Sequence, residues 1–205
     1  MRRILRAGLL LGAAAAAYLG AVRAGGQTRP SADPDTEGQT LRQAMRGQTA
    51  QLALRGKTVA IRYHPQLQFE RDAAQPLAAL QAGQVLPLAR AAAIRLRTET
   101  DLAFGSTVVP AGNHAPGYPG IYSLWLKRAQ DGWRLVFNAQ PDVWGTQHDR
   151  THDVVEVPLE WKPLAPAVER LSVELRADGA AGGLVRLAWG PNEWTARCSV
   201  APAVK

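Results

Sequence analysis

Two imidazoles and two carboxylates lie within six residues of one another in the C-terminal half of the chain. His148, Asp149, His152 and Asp153 fall in the segment Trp144–Asp153, which the residue pattern places in a loop between two strands. Imidazole and carboxylate groups are standard ligands of zinc and related metals. A divalent metal such as zinc is therefore a possible cofactor, and a metal-dependent hydrolase with a metal-bound water is one open hypothesis.

The same cluster also fits a purely structural role. The spacing of His148 and His152 suits one face of a helix, but no helix is predicted here, and the glutamate of a His-Glu-x-x-His metalloprotease is missing. Asp149 and Asp153 are residue types that bond nearby backbone amides in turns. No nucleophile elbow, phosphate loop or dinucleotide fingerprint occurs elsewhere in the chain. The sequence therefore leaves enzymatic activity uncertain and favours a binding or accessory protein without catalysis.

Aromatic residues raise a third hypothesis. Trp125 lies beside Ser123 on the polar face of its strand, where an exposed indole could stack on a sugar ring. Trp144 precedes a glycine in a turn, and His114 lies in the Gly/Pro-rich loop Pro110–Gly120. We therefore treat Trp125, Trp144 and His114 as candidate ligand-binding residues, and a carbohydrate-binding module as an alternative function.

Other conspicuous residues are predicted to serve the core. Trp161, Trp189 and Trp194 share strand faces with valine, leucine and alanine, so they are expected to pack between layers. The single cysteine, Cys198, lies on the apolar face of its strand and is expected to be a small buried hydrophobe. His64 ends an upstream strand, and nothing in the sequence brings it to the His148 loop.

The elements that position these residues alternate apolar and polar side chains, which is the pattern of a half-buried strand. Many short strands separated by turn signals predict an all-β fold. We expect a single antiparallel β-sandwich with jelly-roll or Ig-like layers and at most one or two short helical turns, one of them within Ala73–Gln81. Six strands are predicted in the C-terminal part: Ile121–Arg128, Trp133–Asn138, Val154–Trp161, Arg170–Arg176, Leu184–Trp189 and Trp194–Val200. A turn is predicted at Gly190-Pro191-Asn192.

The N-terminal residues predict export. A basic start, the apolar run Ala7–Val22 and a small-residue ending are typical of a signal peptide over residues 1–24. A polar linker is predicted over 25–50 and the β domain over 51–205. Loss of the signal would lower the net charge from +7 to +3. We therefore expect a periplasmic or secreted protein, held at a membrane only if the signal is retained.

The charge and composition also limit the partners. The remaining basic residues are not clustered, so nucleic acid is not expected as a partner. A small molecule, a glycan or an envelope protein remains open as the partner.

Several motifs resemble a known family. They are Gly120-Ile121-Tyr122-Ser123-Leu124, Trp133 to Phe137-Asn138, Trp144-Gly145, Asp153-Val154-Val155-Glu156-Val157, Glu169 to Glu174, and Leu187-Ala188-Trp189-Gly190. Over about Val108–Val200 the chain resembles the domain-of-unknown-function family 2911. The resemblance implies an exported bacterial β-sandwich without an assigned activity. A polar Trp-Arg-x-Gly-Ala-Asn-Glu-like stretch of the family corresponds to the apolar segment Leu86–Ala93 here.

Overall fold

The computed structural model describes residues 47–64, 74–86, 88–89, 92–113, 115 and 117–202. The predicted signal peptide, residues 25–46 of the predicted linker, and His114 lie outside the described residues. Within the described part, no helix is both long and apolar enough to cross a membrane. The first strand begins at Gln48, slightly before the predicted start of the domain at Gln51.

Strands dominate the described part of the chain, which confirms the all-β prediction with few helical turns. The only helices among the described residues are the short helix α1 and one 3-10 turn, Arg150–His152. The elements in chain order are β1 (Gln48–Leu54), β2 (Lys57–Tyr63), α1 (Ala74–Ala79), β3 (Val85–Leu86), β4 (Ile94–Thr98), β5 (Leu102–Phe104), β6 (Thr107–Val109), β7 (Ile121–Ala129), β8 (Gly132–Asn138), β9 (Asp153–Asp178) and β10 (Gly182–Val200).

All pairings between these strands are antiparallel. They form one open sheet in the order β1-β2-β4-β7-β8-β9-β10-β5-β6, and β3 pairs with β7. The long strand β9 pairs with β8 through its first residues and with β10 through the rest, so it joins two layers. Phe137 of β8 and Phe104 of β5 are far apart in the strand order, yet their ring centroids lie 5.7 Å apart. The sheet therefore folds over one shared core, to which both layers contribute buried side chains.

Four of the predicted strands are in fact two. β9 and β10 each run without a break, and the predicted turn at Gly190-Pro191-Asn192 is wrong. Asn192 pairs with Pro163 and Gly190 pairs with Val168, so β9 carries extra residues opposite this point. This irregularity is a bulge that bends the two-stranded ribbon, because regular pairing resumes on both sides of it.

Of the three tryptophans predicted to lie in the core, two are buried and one is exposed. Trp189 and Trp194 are buried, as predicted, with 1% and 0% of their surface exposed. Cys198 is also buried, and burial raises the pKa of its thiol to about 11. Trp161 was predicted to lie in the core but is 50% exposed. It is the next inward-facing residue after Leu159, and from there to Arg170 the residues of β9 are mostly exposed, although Trp194 directly opposite on β10 stays buried.

Charged side chains join the two sides of the bend. Arg186 donates to Glu193 Oε2 at 2.6 Å and to Glu174 Oε1 at 2.7 Å. Lys162 makes an ion pair with Glu193 at 2.7 Å. The side chains of Arg186 and Glu193 are only 15% and 7% exposed, so these charges are largely shielded from water and depend on one another.

Candidate functional site

The candidate site lies on the face of β7, β8 and β9 that points away from the main core. Cross-strand register places Ser123, Asn138 and Asp153 in one row across these strands. The neighbouring row contains Trp125, Val136 and Glu156. Residues in such rows project to the same side of the sheet. Trp125 and Val136 form a second small apolar cluster with Ala93.

The loop that joins β8 to β9, residues 139–152, is anchored next to this face. Its two ends are tied together, because the Ala139 amide donates to the His152 carbonyl at 2.8 Å. The Asn138 side chain donates to the Asp149 carbonyl at 2.8 Å. On the other side, the Ala93 amide donates to the Val143 carbonyl at 3.1 Å. These bonds give the loop a defined position.

At Gly145 the loop packs closely against the backbone of Ala89. A Cβ at Gly145 would lie 2.0 Å from the Ala89 carbonyl oxygen, which is backbone and cannot rotate away. We expect Gly145→Ala to lower the free energy of unfolding by about 2 kcal/mol, because overpacking forces the backbone to shift. Chemical denaturation would measure this change. Gly112→Ala is the control, since nothing lies within 4 Å of its Cβ, and an equal loss in both variants would contradict this packing.

His148 is held by a chain of buried or half-buried groups. Its Nε2 lies 2.8 Å from Asp153 Oδ1, and that oxygen also accepts from the Asn138 amide at 2.8 Å. The imidazole packs on Trp125 at a centroid distance of 5.1 Å, and the Trp125 indole donates to Ser123 Oγ at 3.0 Å. Because each of these groups has a partner, the imidazole has a fixed orientation.

A cleft of about 830 Å³ opens beside His148. One wall comes from the segment between α1 and β3, where the Gly83 amide donates to the Arg128 carbonyl at 2.7 Å. The floor and the other wall come from β7, β9 and the loop. The lining residues that carry charge or hydrogen-bonding side chains are Gln84, Lys127, Thr146, His148, Arg150, Asp153 and Glu156.

The formal charges of the cleft are balanced. Lys127 and Arg150 contribute two cations, and Asp153 and Glu156 contribute two carboxylates. Lys127 pairs with Glu156, and both side chains remain partly exposed, at 24% and 36%. The site therefore offers donors and acceptors of both signs at the edge of a partly buried imidazole, an arrangement that suits a polar ligand with mixed charge.

The four predicted metal ligands separate into two pairs. His148 contacts Asp153, whereas His152 faces Asp149 at 3.8 Å. Asp149 Oδ1 caps the 3-10 turn by accepting from the Thr151 amide at 2.9 Å and from its hydroxyl at 2.7 Å, and these bonds lower the pKa of Asp149. No group of three or more His, Cys, Asp or Glu residues in the described chain is arranged to hold a metal. A shared ion would need both pairs to rearrange.

The predicted ligand-binding aromatics lie in different surroundings. Trp125 does face outward from the main core, but the expected exposed ring is not found, since it is 1% exposed beneath His148. Trp144 is 62% exposed and lines a separate shallow cleft with Arg95 and Asp142. His114 lies in a gap of the described residues, so its role stays a prediction.

Two other residues of the sequence hypotheses have structural neighbours. His64 lies against Gly47, where a Cβ would come within 2.9 Å of the imidazole. Burial, and then Arg62 and Arg95, lower the pKa of His64. Asn113, in the Gly/Pro-rich loop Pro110–Gly120, donates to the Ile121 and Ala139 carbonyls and so helps to hold this loop in place.

Sequence reasoning missed Asn138, Lys127 and Glu156 as parts of the site. Lys127 and Glu156 are ordinary polar residues on strands, and only the cross-strand register brings them to one cleft. Asn138 is the last residue of β8, and its side chain lies on the face away from the main core. It is only 1% exposed, and the alternation of apolar and polar residues does not predict this burial. The signal that could have found it is a polar residue at a strand end beside a cluster of imidazoles and carboxylates.

A family model matches most of the chain. The family model described as "Protein of unknown function (DUF2911)" matches residues 46–197, which is most of the chain and includes every element that forms the cleft. No curated protein and no solved structure matches the chain.

Proposed function

We propose that this chain, which belongs to the family described as proteins of unknown function DUF2911, binds a small zwitterionic molecule in the cleft beside His148. The ligand class follows from the balanced charges of the lining: Lys127 and Arg150 meet anionic groups, and Glu156 and Asp153 meet cationic groups. Free amino acids, short peptides and betaines have this chemistry.

The observation that carries the proposal is the hydrogen-bonded chain His148–Asp153–Asn138 at the edge of the cleft. The half-buried imidazole is held by a carboxylate and packs on an indole. Burial of these polar groups is unfavourable unless each has a hydrogen-bond partner, and here each has one. Its orientation is set before any ligand arrives, and preorganised groups bind more tightly than mobile ones. The role proposed for the cleft is binding without a chemical step.

The proposed function includes an exported location. The basic and apolar pattern of residues 1–24 supports a periplasmic or secreted location, where the protein would meet small molecules or envelope components. A metal-dependent hydrolase built on His148 and His152 is less well supported, since the two imidazoles pair with different carboxylates.

A binding screen with matched histidine variants tests the proposed function. Amino acids, dipeptides and betaines are screened by thermal shift and calorimetry against the full chain, with dicarboxylates and diamines of similar size as comparators. At least one zwitterion should bind, and His148→Ala should weaken it by about tenfold or more, as loss of a hydrogen bond to a charged group does.

His152→Ala is the control, because His152 lies four residues away, is 42% exposed and does not line the cleft. It should leave the affinity unchanged. The proposal fails if no zwitterion binds, or if the two alanine variants lose affinity equally.

A further inference from the structure

A second cleft, of about 750 Å³, lies where the folded sheet opens beside α1. Its apolar wall comes from α1 and from β8 and β9, chiefly Leu77, Leu80, Trp133 and Leu159. Trp161 completes this wall, and Pro191 and Asn192 of β10, which lie opposite the bulge in β9, also line the cleft. This volume falls within the range of roughly 300–1,000 Å³ that is usual for small-molecule sites.

Trp161 is the unusual feature of this cleft. It lies directly opposite Trp194 in the β9–β10 register, yet Trp194 is fully buried and Trp161 is 50% exposed. Its indole nitrogen donates to Asn192 Oδ1 at 2.9 Å. The ring is therefore held in one orientation and still presents a large apolar surface to solvent. Most tryptophan side chains in folded proteins are largely buried, so this exposed surface suggests a ligand-binding role.

Polar groups surround the apolar wall. Asp131 lies at the rim and accepts two hydrogen bonds from Arg134, at 2.8 and 2.6 Å. Arg128 also lines the cleft, and its guanidinium lies 4.9 Å from the centroid of the Trp133 ring. Asn192 adds an amide next to Trp161. The cleft thus combines a flat aromatic surface with hydrogen-bonding groups at its edge and nearly balanced charge.

We propose that this second cleft binds a neutral carbohydrate, with one sugar ring stacked on Trp161. A pyranose ring has C–H groups on its faces and hydroxyl groups around its rim, so its faces suit an indole and its rim suits amide, carboxylate and guanidinium partners. A purely apolar ligand would make no use of the polar rim that Arg128, Asp131 and Asn192 form, and a strongly charged ligand would find no excess of opposite charge there. Leu80 lines both this cleft and the one beside His148, but their polar lining residues differ, so this site does not depend on the ligand proposed there.

Calorimetry with linear hexasaccharides of glucose, N-acetylglucosamine, mannose and xylose tests this proposal on the full chain. At least one should bind, and Trp161→Ala should weaken it by about tenfold or more, since the stacking surface is lost. Trp161→Phe should lose less affinity, because it keeps an aromatic face. Trp144→Ala is the matched control: Trp144 is the more exposed tryptophan, at 62%, and lies outside this cleft.

Several results would overturn the carbohydrate site. They are no binding of any hexasaccharide at millimolar concentration, equal affinity in the wild type and Trp161→Ala, or an equal loss in Trp144→Ala. Binding of a fluorescent fatty acid in place of every sugar would also overturn it. If Trp161→Ala does not fold, Asn192→Ala decides the matter: freeing the indole should weaken the hexasaccharide several-fold, and unchanged affinity would refute the proposal. His148→Ala should not affect sugar binding, which separates this site from the first.

Discussion

Replacing Arg186 with leucine should lower the free energy of unfolding by about 3 kcal/mol, because it removes the buried partner of Glu193 and leaves only the exposed Lys162 to pair with this carboxylate. Arg186 is bonded to both Glu193 and Glu174, and Glu193 is only 7% exposed. Without the guanidinium, two carboxylates would face each other across the bend in β9 and β10. Urea unfolding followed by tryptophan fluorescence measures the loss.

Arg197→Leu is the control for this prediction. Arg197 also pairs with a carboxylate, Asp178, at 2.9 Å, but its side chain is 70% exposed. Exposed ion pairs contribute at most about 1 kcal/mol. The double variant Arg186→Leu, Glu193→Leu should recover part of the loss, because it also removes the buried carboxylate that Arg186 neutralises. Equal losses in Arg186→Leu and Arg197→Leu would contradict a shielded network.

The same network predicts how stability depends on pH. The hydrogen bond from Lys162, followed by that from Arg186, holds the pKa of Glu193 below its usual range despite burial. A carboxylate with a lowered pKa in the folded state contributes stability above the pKa that it has in the unfolded chain, and this contribution is lost as the pH falls toward the folded value. Between neutral pH and the acid range, Glu193→Gln should therefore lose less stability than the wild type.

Replacing Asn138 with alanine should lower the free energy of unfolding by about 3 kcal/mol and loosen the loop over the cleft. Asn138 is 1% exposed, and its amide donates to the Asp149 carbonyl and to Asp153 Oδ1, both at 2.8 Å. Its own oxygen accepts from the Gln140 amide at 2.9 Å. Denaturant unfolding measures the stability, and limited proteolysis measures the opening of residues 139–152.

Ser123→Ala is the control for Asn138. Ser123 lies next to Asn138 in the same cross-strand row and is equally buried, but its hydroxyl accepts only the Trp125 indole at 3.0 Å among the contacts at this site. We expect a loss of about 1 kcal/mol and no new cleavage in the loop. Cleavage of the loop at the same rate in both variants would show that Asn138 does not anchor it.

The sequence predicted the strands well wherever alternation was local and regular. β7 and β8 begin and end within one residue of their predicted bounds, and α1 lies inside Ala73–Gln81. At the bend, four strands are predicted in place of β9 and β10. Gly190-Pro191-Asn192 has the composition of a turn, and the pairing that continues across it depends on residues distant in sequence. The predicted burial of Trp161 is wrong for the same reason. The path of β9 away from the core, and not the alternation of its side chains, decides how exposed Trp161 is.

The candidate site could be predicted only in part. The His148 loop was identified as the best polar cluster, and His148 and Asp153 do lie together. The four predicted metal ligands lie in two pairs, because the 3-10 turn at Arg150–His152 places His152 beside Asp149. The partners that define the cleft, Lys127 and Glu156, come from two strands that are not adjacent in the sheet, and single-sequence patterns contain no information on such register.

The most direct test of ligand binding beside His148 is a titration followed by ¹H–¹⁵N spectra of the full chain. The indole signal of Trp125 reports on this cleft, because its ring packs on His148 at 5.1 Å and its N–H is bonded to Ser123. The tightest-binding zwitterion from the screen should shift the Trp125 indole signal in a saturable way and leave that of Trp161 unchanged. A Trp125 signal that does not move at saturating ligand would contradict binding beside His148.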